Sequence, residues 1–442
     1  MFMAYRTTHL ARCLPLRAIV LSALCMAMSI PAAGQLQAPP TPGERAEKNL
    51  ALLEEVWRIV DEHFFDPHFN GADWPAMLDR YAPAARQAET DAELAVVIND
   101  MLAELETSHT TYFTKRDPAY YQLLDVFSHS RGSAEVRKIF PDGEVRYAGT
   151  GIVAEEIEGR IFIKGIIDGM PADRAGLRVG DEIVSINGRP YEPRAGARRK
   201  QGPTLTFQIQ RTPDPASRQN IQLDREMVQP TEMFLRAMNE SVAVREQDGV
   251  KIGYLHIWSW AGEHYQRRLI ELLGQEPLRS TDALVLDIRD GWGGARTWYL
   301  NVFNRNLPVM TMRPRGQEPY ELDMHWRKPV VLLINEGSRS GKEIIAYGFK
   351  TYGIGPVVGT PTGGAVTGGR GFVLSDGSLL YLAVADVLVD GRRLEGVGVE
   401  PNILIPFDLP YAGGADIQRQ RAGEVAAWVV QKRREAAAQP PN

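Results

Sequence analysis

Cysteine is almost absent from this 442-residue chain. The only two, Cys13 and Cys25, both lie in the first 34 residues. These 34 residues have the pattern of a secretory signal: arginines at the start, an apolar stretch over Ala18–Ile30 and a small-residue cleavage site at residues 32–34. Removal of this signal would leave no cysteine. A disulfide framework, a thiol nucleophile and a thiolate metal site are therefore excluded in the mature protein.

A long hydrophobic run and an excess of positive charge are also missing. The apolar stretch of the signal is shorter than the roughly 20 residues that a membrane-spanning helix needs. We therefore expect no stable membrane span after cleavage, with an uncleaved anchor as the alternative. Fifty basic residues are balanced by 55 acidic ones, so no polybasic surface for nucleic acid is expected. The pattern predicts an exported protein of a bacterial periplasm.

Histidine is scarce and scattered. The eight histidines form no HExxH motif and stand near no carboxylate cluster, so neither a metal site nor a cofactor is predicted. His109 lies among the hydroxyls of Thr-Ser-His-Thr-Thr, with no carboxylate or second histidine at ligand spacing. We interpret it from the sequence as a structural hydrogen-bonding residue.

Hydrophobic periodicity divides the rest of the chain into segments. A helical pattern is clearest over Asp91–Leu105, with Thr90 or Asp91 as its N-cap. Asp142-Gly143 predicts the turn of a β-hairpin. Later apolar runs alternate with helical stretches, which is typical of an α/β core, and a tight turn between the last two runs favours a mixed sheet. The predicted segments are a linker (35–43), a helical N-terminal region (44–147), a β-rich module (148–230), an α/β core (231–410) and a helical tail (411–442).

One stretch of the core, Val330–Gly369, reads as strand, small-residue turn, helix, strand and glycine loop. Such a turn lies at a helix N-terminus, where free backbone N–H groups hold an anion or an oxyanion. A nucleotide phosphate loop is excluded here, because only three residues separate Gly337 from Gly341 and Glu343 occupies the place of the magnesium-binding hydroxyl.

The β-rich module resembles a PDZ domain. The resemblance is carried by GTGI at Gly149–Ile152, MPADRAGL at Met170–Leu177 and VGDEIVSING at Val179–Gly188. It implies that an extended peptide adds to a sheet edge while its terminal carboxylate meets backbone N–H groups. The expected peptide-binding residues are Gly149, Thr150, Gly151 and Ile152, and the expected partners are protein or peptide C-termini. The alternative is a module that serves packing alone.

The order of motifs along the mature chain resembles the C-terminal processing, or tail-specific, serine peptidases. The motifs are TSHTTY after the helical region, the PDZ-like module, and then DIRDGWGGA, NEGSRSGKEI, VVGTPTGG, LSDGS and EGVGVEPNI in the core. This resemblance implies a mixed α/β peptidase core and a Ser–Lys dyad. Aligned on Glu343-Ile344, the nucleophile position is Lys342, the base position is Ala365 and a supporting glutamine is replaced by Gly369.

Two functions remain open on these residues. In the first, the activity is retained: Ser340 or Ser338 attacks a peptide carbonyl, Lys342 is the base, and backbone N–H groups of Gly293 and Glu343 form an oxyanion hole. In the second, the protein is a pseudopeptidase that binds peptides or acts as a scaffold in the periplasm without cleaving them.

Overall fold

The computed structural model describes residues 41–127, 133–191 and 202–439. The predicted secretory signal, residues 1–34, and most of the predicted linker lie outside these ranges. Within them, no helix combines the length and the apolar character needed to cross a membrane.

The N-terminal region is helical, as predicted. Thr90 caps the third helix, where its hydroxyl accepts a hydrogen bond from the N–H of Glu93. The predicted hairpin at Asp142-Gly143 is wrong, because a helix runs up to Ile139 and only a turn follows it. The elements are α1 (Pro42–His63), α2 (Trp74–Gln87), α3 (Asp91–Ala103), β1 (Thr111–Phe113), α4 (Pro118–Val126) and α5 (Ser133–Ile139).

The next module is a small antiparallel β-domain with its own core. Buried side chains such as Ile163, Ile183 and Phe207 fill it. Its first and last strands pair with each other, so the chain enters and leaves the module at one place. The elements are β2 (Tyr147–Gly149), β3 (Ile152–Ile157), β4 (Arg160–Ile166), α6 (Pro171–Arg174), β5 (Glu182–Ile186), β6 (Arg189–Pro190), β7 (Thr204–Gln210), β8 (Arg218–Asp224) and β9 (Glu226–Val228).

The core is α/β with a mixed six-stranded sheet, which confirms the predicted fold class. The strand order is β10-β11-β12-β15-β16-β21, and only β10 is antiparallel to its neighbour. The elements are α7 (Pro230–Glu240), β10 (Ala243–Gln247), β11 (Val250–His256), α8 (Glu263–Gly274), β12 (Ala283–Asp287), β13 (Met310–Met312), β14 (Tyr320–Leu322), β15 (Val330–Ile334), α9 (Gly341–Thr351), β16 (Val357–Gly359), β17 (Gly368–Val373), β18 (Leu379–Ala385), β19 (Leu388–Val389), β20 (Arg392–Arg393), β21 (Ile403–Leu404) and α10 (Ile417–Ala438).

The two runs that suggested a mixed sheet lie elsewhere. β17 and β18 form an antiparallel hairpin, but they belong to a separate three-stranded sheet with β1. This sheet packs against the N-terminal helices, where Leu380 and Leu382 share a core with Leu53 and Val56. The tail helix α10 also has a buried face, which packs on the main sheet through Ala422 and neighbours.

The main sheet determines where the loops meet. All residues of β12 and β15 are buried, as expected for parallel strands covered on both faces. The carboxyl ends of β11, β12, β15 and β16 lie at one edge of the sheet, so the loops after them meet there. β1 brings the Thr107–Thr111 segment to the same region, since it pairs with β18.

Candidate active site

The turn between β15 and α9 places Ser340 in a strained conformation. Ser340 is the N-cap of α9, with φ 59° and ψ −127°. Positive φ is costly for a residue with a side chain and is found where the surrounding structure enforces it, often at functional sites. A strained strand-to-helix turn is also how hydrolases expose a nucleophilic serine hydroxyl. The N–H of Ser340 donates to the carbonyl of Ala365 at 2.8 Å, which fixes the turn against the glycine loop.

Ser338 is correspondingly unsuited to attack. It is fully buried, its hydroxyl donates to the carbonyl of Ile288 at 2.9 Å, and it accepts from the N–H of Asn335 at 3.2 Å. The expectation that Ser338 is a candidate nucleophile is therefore wrong. Its hydroxyl holds the turn between β15 and α9 against the end of β12.

Lys342 is buried beneath the candidate active site and does not line it. It is fully buried, and its Nζ donates to the carbonyl oxygens of Trp258 at 3.1 Å and Asp290 at 2.5 Å. Burial lowers the pKa of Lys342 to about 7, although the carboxylates of Asp290 and Asp287 act in the opposite direction. Both hydrogen bonds commit the amine to main-chain carbonyls, which argues against Lys342 as the base for a serine.

Glu343 is engaged through both its carboxylate and its backbone. The carboxylate accepts hydrogen bonds from the Thr362 hydroxyl and from the N–H groups of Gly364 and Ala365, at 2.5 to 2.9 Å. Its own N–H donates to the carbonyl of Ser340 at 2.8 Å. The expectation that this N–H belongs to an oxyanion hole is therefore wrong. Glu343 instead holds the glycine loop beside Ser340.

Two other N–H groups lie beside Ser340. None of the hydrogen bonds among the described residues uses the N–H of Gly293 or of Gly341. The two are close: a Cβ built on Gly293 would lie 2.9 Å from the nitrogen of Gly341 and 2.7 Å from the Cβ of Ser340. The oxyanion role of Gly293 stays a prediction, and the N–H of Gly341 is a second candidate donor. Donors so placed can stabilise an oxyanion that forms at Ser340.

A relay of hydrogen bonds forms the other side of the site. Nδ1 of His109 lies 2.7 Å from Oγ of Ser108, which donates to a carboxylate oxygen of Glu395 at 2.9 Å. Oγ1 of Thr367 is also near Nδ1, at 3.2 Å. In the described part of the chain no hydrogen bond uses Nε2 of His109. If Nδ1 carries the ring proton and donates to Ser108, Nε2 is the acceptor nitrogen.

Glu395 is the anchor of this relay. It accepts hydrogen bonds from the backbone N–H groups of Ser108, Val366 and Thr367 as well as from the Ser108 hydroxyl. Thr367 is two residues from Ala365, whose carbonyl binds the N–H of Ser340. One short loop thus connects the serine to the histidine. The sequence interpretation of His109 as purely structural missed this arrangement, because Glu395 lies 286 positions away.

The environment keeps His109 neutral. Burial lowers the pKa of His109 to about 4, with Glu395 acting to raise it and the guanidinium of Arg339 acting to lower it further. A neutral imidazole with a free acceptor nitrogen is the form that serves as a general base.

The predicted peptide-binding loop of the β-domain has suitable geometry. β3, which follows it, is an edge strand that pairs only with β4 among the described strands. The carbonyls of Thr150 and Gly151 anchor the loop by accepting from Ala172 and Ile167. Gly151 has φ 84°, and a Cβ there would lie 2.3 Å from Cβ of Met170, so only glycine fits. An open strand edge beside such a loop suits peptide addition.

Comparison with known proteins finds matches in three parts of the chain. Residues 251–405 match the model of peptidase family S41, residues 46–103 match the tricorn protease C1 domain, and residues 162–194 match a PDZ domain. A carboxyl-terminal-processing protease of Synechocystis is 24% identical over 390 residues, covering 84% of this chain and 85% of the relative. The core thus matches peptidase family S41, and the chain is similar to carboxyl-terminal-processing proteases. Its β-domain is a PDZ domain, as predicted.

Some relatives are longer than this chain. Tricorn protease homolog 1 of Streptomyces coelicolor is 27% identical over 392 residues, which are 84% of this chain and 34% of that protein. This chain thus spans about a third of the length of that relative. The crystal structure of the tricorn protease has a TM-score of 0.52 at 19% identity, covering 88% of this chain and 37% of that one. This likeness supports the fold of the family.

Proposed function

We propose that the protein is an active serine peptidase in which Ser340 is the nucleophile and His109 is the general base. One observation carries the proposal: the strained Ser340 is connected through Ala365 and Thr367 to a histidine whose Nδ1 belongs to a serine–glutamate relay. The lysine that the family resemblance implied is absent, since Ala365 has no side chain that could accept a proton. A histidine from the N-terminal region takes its place.

The chemistry follows from these positions. Oγ of Ser340 attacks the carbonyl carbon of a peptide bond and its proton passes to Nε2 of His109. The carbonyl oxygen becomes an oxyanion that the N–H groups of Gly293 and Gly341 stabilise. Collapse of this intermediate breaks the C–N bond, and His109 returns the proton to the departing amine. A water molecule, deprotonated by His109, then hydrolyses the acyl ester on Ser340.

Glu395 and Ser108 act on the histidine rather than on the substrate. They hold the proton on Nδ1, so that Nε2 is an acceptor, and they stabilise the imidazolium that forms during attack. The carboxylate also fixes the loop at Val366 and Thr367, which keeps the two sides of the site together.

The substrates are protein tails. The PDZ domain binds a free C-terminus through residues 149–152 and edge strand β3, and the core then cleaves the tail. The signal pattern of the first 34 residues supports action outside the cytoplasm, in a periplasm. Fractionation of cells that express the full chain tests this location, and recovery with cytoplasmic markers would contradict it.

The decisive experiment is chemical labelling combined with turnover. A fluorophosphonate probe should modify Ser340 in the wild-type protein, which peptide mass spectrometry detects, and an unstructured tail peptide should be cleaved. Ser340→Ala should lose both properties, whereas the exposed Ser280→Ala should keep both. Tail-peptide binding without labelling or turnover would overturn the proposal in favour of a pseudopeptidase.

A further inference from the structure

Lys342 occupies an unusual position for a lysine. It is the second residue of α9, and its side chain is fully buried beneath the helix N-terminus that carries Ser340. Burial of an ammonium group is costly unless polar partners compensate it. Here the compensation comes from two backbone carbonyls and not from a direct ion pair. The contacts of those carbonyls indicate what the lysine does.

Both carbonyls belong to the backbone that shapes the turn of Gly293. The carbonyl of Asp290 opens this turn, three residues before Gly293. The carbonyl of Trp258 accepts a second hydrogen bond, from the N–H of Trp292, at 2.8 Å. The segments at Trp258 and Trp292 therefore lie side by side. The amine of Lys342 links them, because it donates to the carbonyl of Trp258 and to that of Asp290, two residues before Trp292.

The same turn is packed closely on its other sides. A Cβ on Gly291 would lie 1.9 Å from the carbonyl oxygen of Trp258. The side chain of Asn335 accepts from the N–H of Asp290 at 3.1 Å and donates to its carboxylate at 3.2 Å. Lys164 of the PDZ domain lies 3.7 Å from that carboxylate. The turn therefore has contacts from the residue after β15 and from the PDZ domain, and Lys342 supplies the contact from α9.

We propose that Lys342 is a positioning residue of the oxyanion hole, tying the N-terminus of α9 to the turn of Gly293. α9 supplies the N–H of Gly341 and the turn supplies the N–H of Gly293, so the tether sets the distance between the two donors. Because a stabilising hydrogen bond in the transition state depends on the place of its donor, loss of the tether weakens catalysis more than substrate binding. This role rests on the proposed peptidase function.

The test compares three lysine variants in the full chain. Lys342→Met keeps the length of the side chain but removes the donors, and we expect kcat to fall roughly 100-fold with KM changed less than threefold. Lys342→Gln keeps an N–H₂ donor on a shorter chain and should recover part of the loss. Lys350→Met, at the exposed end of the same helix, should match the wild type.

A peptide aldehyde provides the second measurement. Its adduct with Ser340 places an oxyanion between Gly293 and Gly341, whereas the corresponding amide forms no adduct. Lys342→Met should weaken the binding of the aldehyde by about the same factor as the loss in kcat. Its affinity for the amide should stay within threefold of that of the wild type. If a folded Lys342→Met protein keeps wild-type kcat, or if a folded Lys342→Gln protein recovers none of the loss, the inference is wrong. Absence of Ser340-dependent turnover in the wild type would instead contradict the proposed function.

Discussion

The two sides of the proposed active site are built in different ways. The serine side is one continuous strand, turn and helix, in which Ser340 lies within ten residues of the strand that carries it. The histidine side joins the end of the helical region to two loops of the core, through Ser108, Thr367 and Glu395. A local unit keeps its geometry wherever the segment folds. The relay forms only when the N-terminal helices and the core are packed together.

The largest effect is expected from breaking the relay at its base. His109→Asn keeps a polar side chain in the loop but cannot accept the proton of Ser340. Removal of one member of a catalytic unit abolishes most of the rate acceleration that the whole unit provides. We therefore expect kcat to fall roughly 10⁴-fold or more. Steady-state kinetics with a tail peptide provides the measurement. The exposed His68→Asn is the matched control, and a loss of less than tenfold in folded His109→Asn would show that another group is the base.

On the serine side, a single methyl group added at Gly293 should lower kcat. Gly293→Ala would place a Cβ 2.5 Å from the carbonyl oxygen of Arg339 and 2.7 Å from Cβ of Ser340. The turn must shift, which displaces one of the two oxyanion donors. Loss of such a donor typically costs 10²–10³ in kcat.

Gly274→Ala is the control for that substitution, because a Cβ at the end of α8 meets nothing within 4 Å. Melting temperatures separate a displaced donor from unfolding. Wild-type kcat in folded Gly293→Ala would remove Gly293 from the oxyanion hole.

Removal of the charge of the Glu395 carboxylate should distinguish its part in orienting His109 from proton transfer by His109 itself. Glu395→Gln keeps acceptor capacity but loses the charge that stabilises the imidazolium, so we expect kcat to fall by roughly 10². Fluorophosphonate labelling of Ser340 should slow in parallel. Glu400→Gln, an exposed neighbour in the same loop, should leave both rates unchanged, and an equal loss there would point to loop stability alone.

This difference in construction explains what the sequence could predict. The α/β core, the PDZ domain and the turn before α9 follow from contiguous patterns, and Gly293 was found in the glycine-rich turn after β12. Within the turn before α9, the family resemblance placed the nucleophile position at Lys342, two residues beyond the strained Ser340, and left Ser338 and Ser340 as alternative nucleophiles. The backbone conformation distinguishes Ser340 from Ser338, and no residue pattern reports it.

The relay is the part that no local pattern could reveal. Ser108-His109 and Glu395 both stand in recognisable motifs, TSHTTY and EGVGVEPNI, but 286 positions separate the histidine from the carboxylate. The pairing of β1 with β18 brings the first motif to the core. The position of His109 after a helix and beside hydroxyl side chains was the one sequence signal of a catalytic role. The same position suits a structural histidine equally well.

A pH profile sharpens the same comparison. Burial lowers the pKa of His109 to about 4, so the neutral base persists well below the usual histidine value of about 6.5. The acidic limb of kcat/KM should therefore lie near pH 4 to 5 rather than near 6.5. Arg339→Gln removes a charge that disfavours the imidazolium and should move the limb upward. A limb at pH 6.5 in the wild type would mean that His109 is more solvated than the structure indicates.

The smallest effect is expected farthest from the chemistry, in the PDZ loop. Gly151→Val introduces a side chain at φ 84° against Met170, which distorts the loop that we expect to hold the terminal carboxylate. KM for a tail peptide should rise about tenfold while kcat stays within twofold, because capture and cleavage use different residues. Gly188→Val, at a turn with φ 73° and nothing within 4 Å, is the control for backbone strain. The same peptide with an amidated C-terminus should show the higher KM with the wild-type protein and no further rise with Gly151→Val. If amidation leaves KM unchanged, the domain does not bind the terminal carboxylate, and its role lies in its contacts with the core, such as that of Lys164 with Asp290.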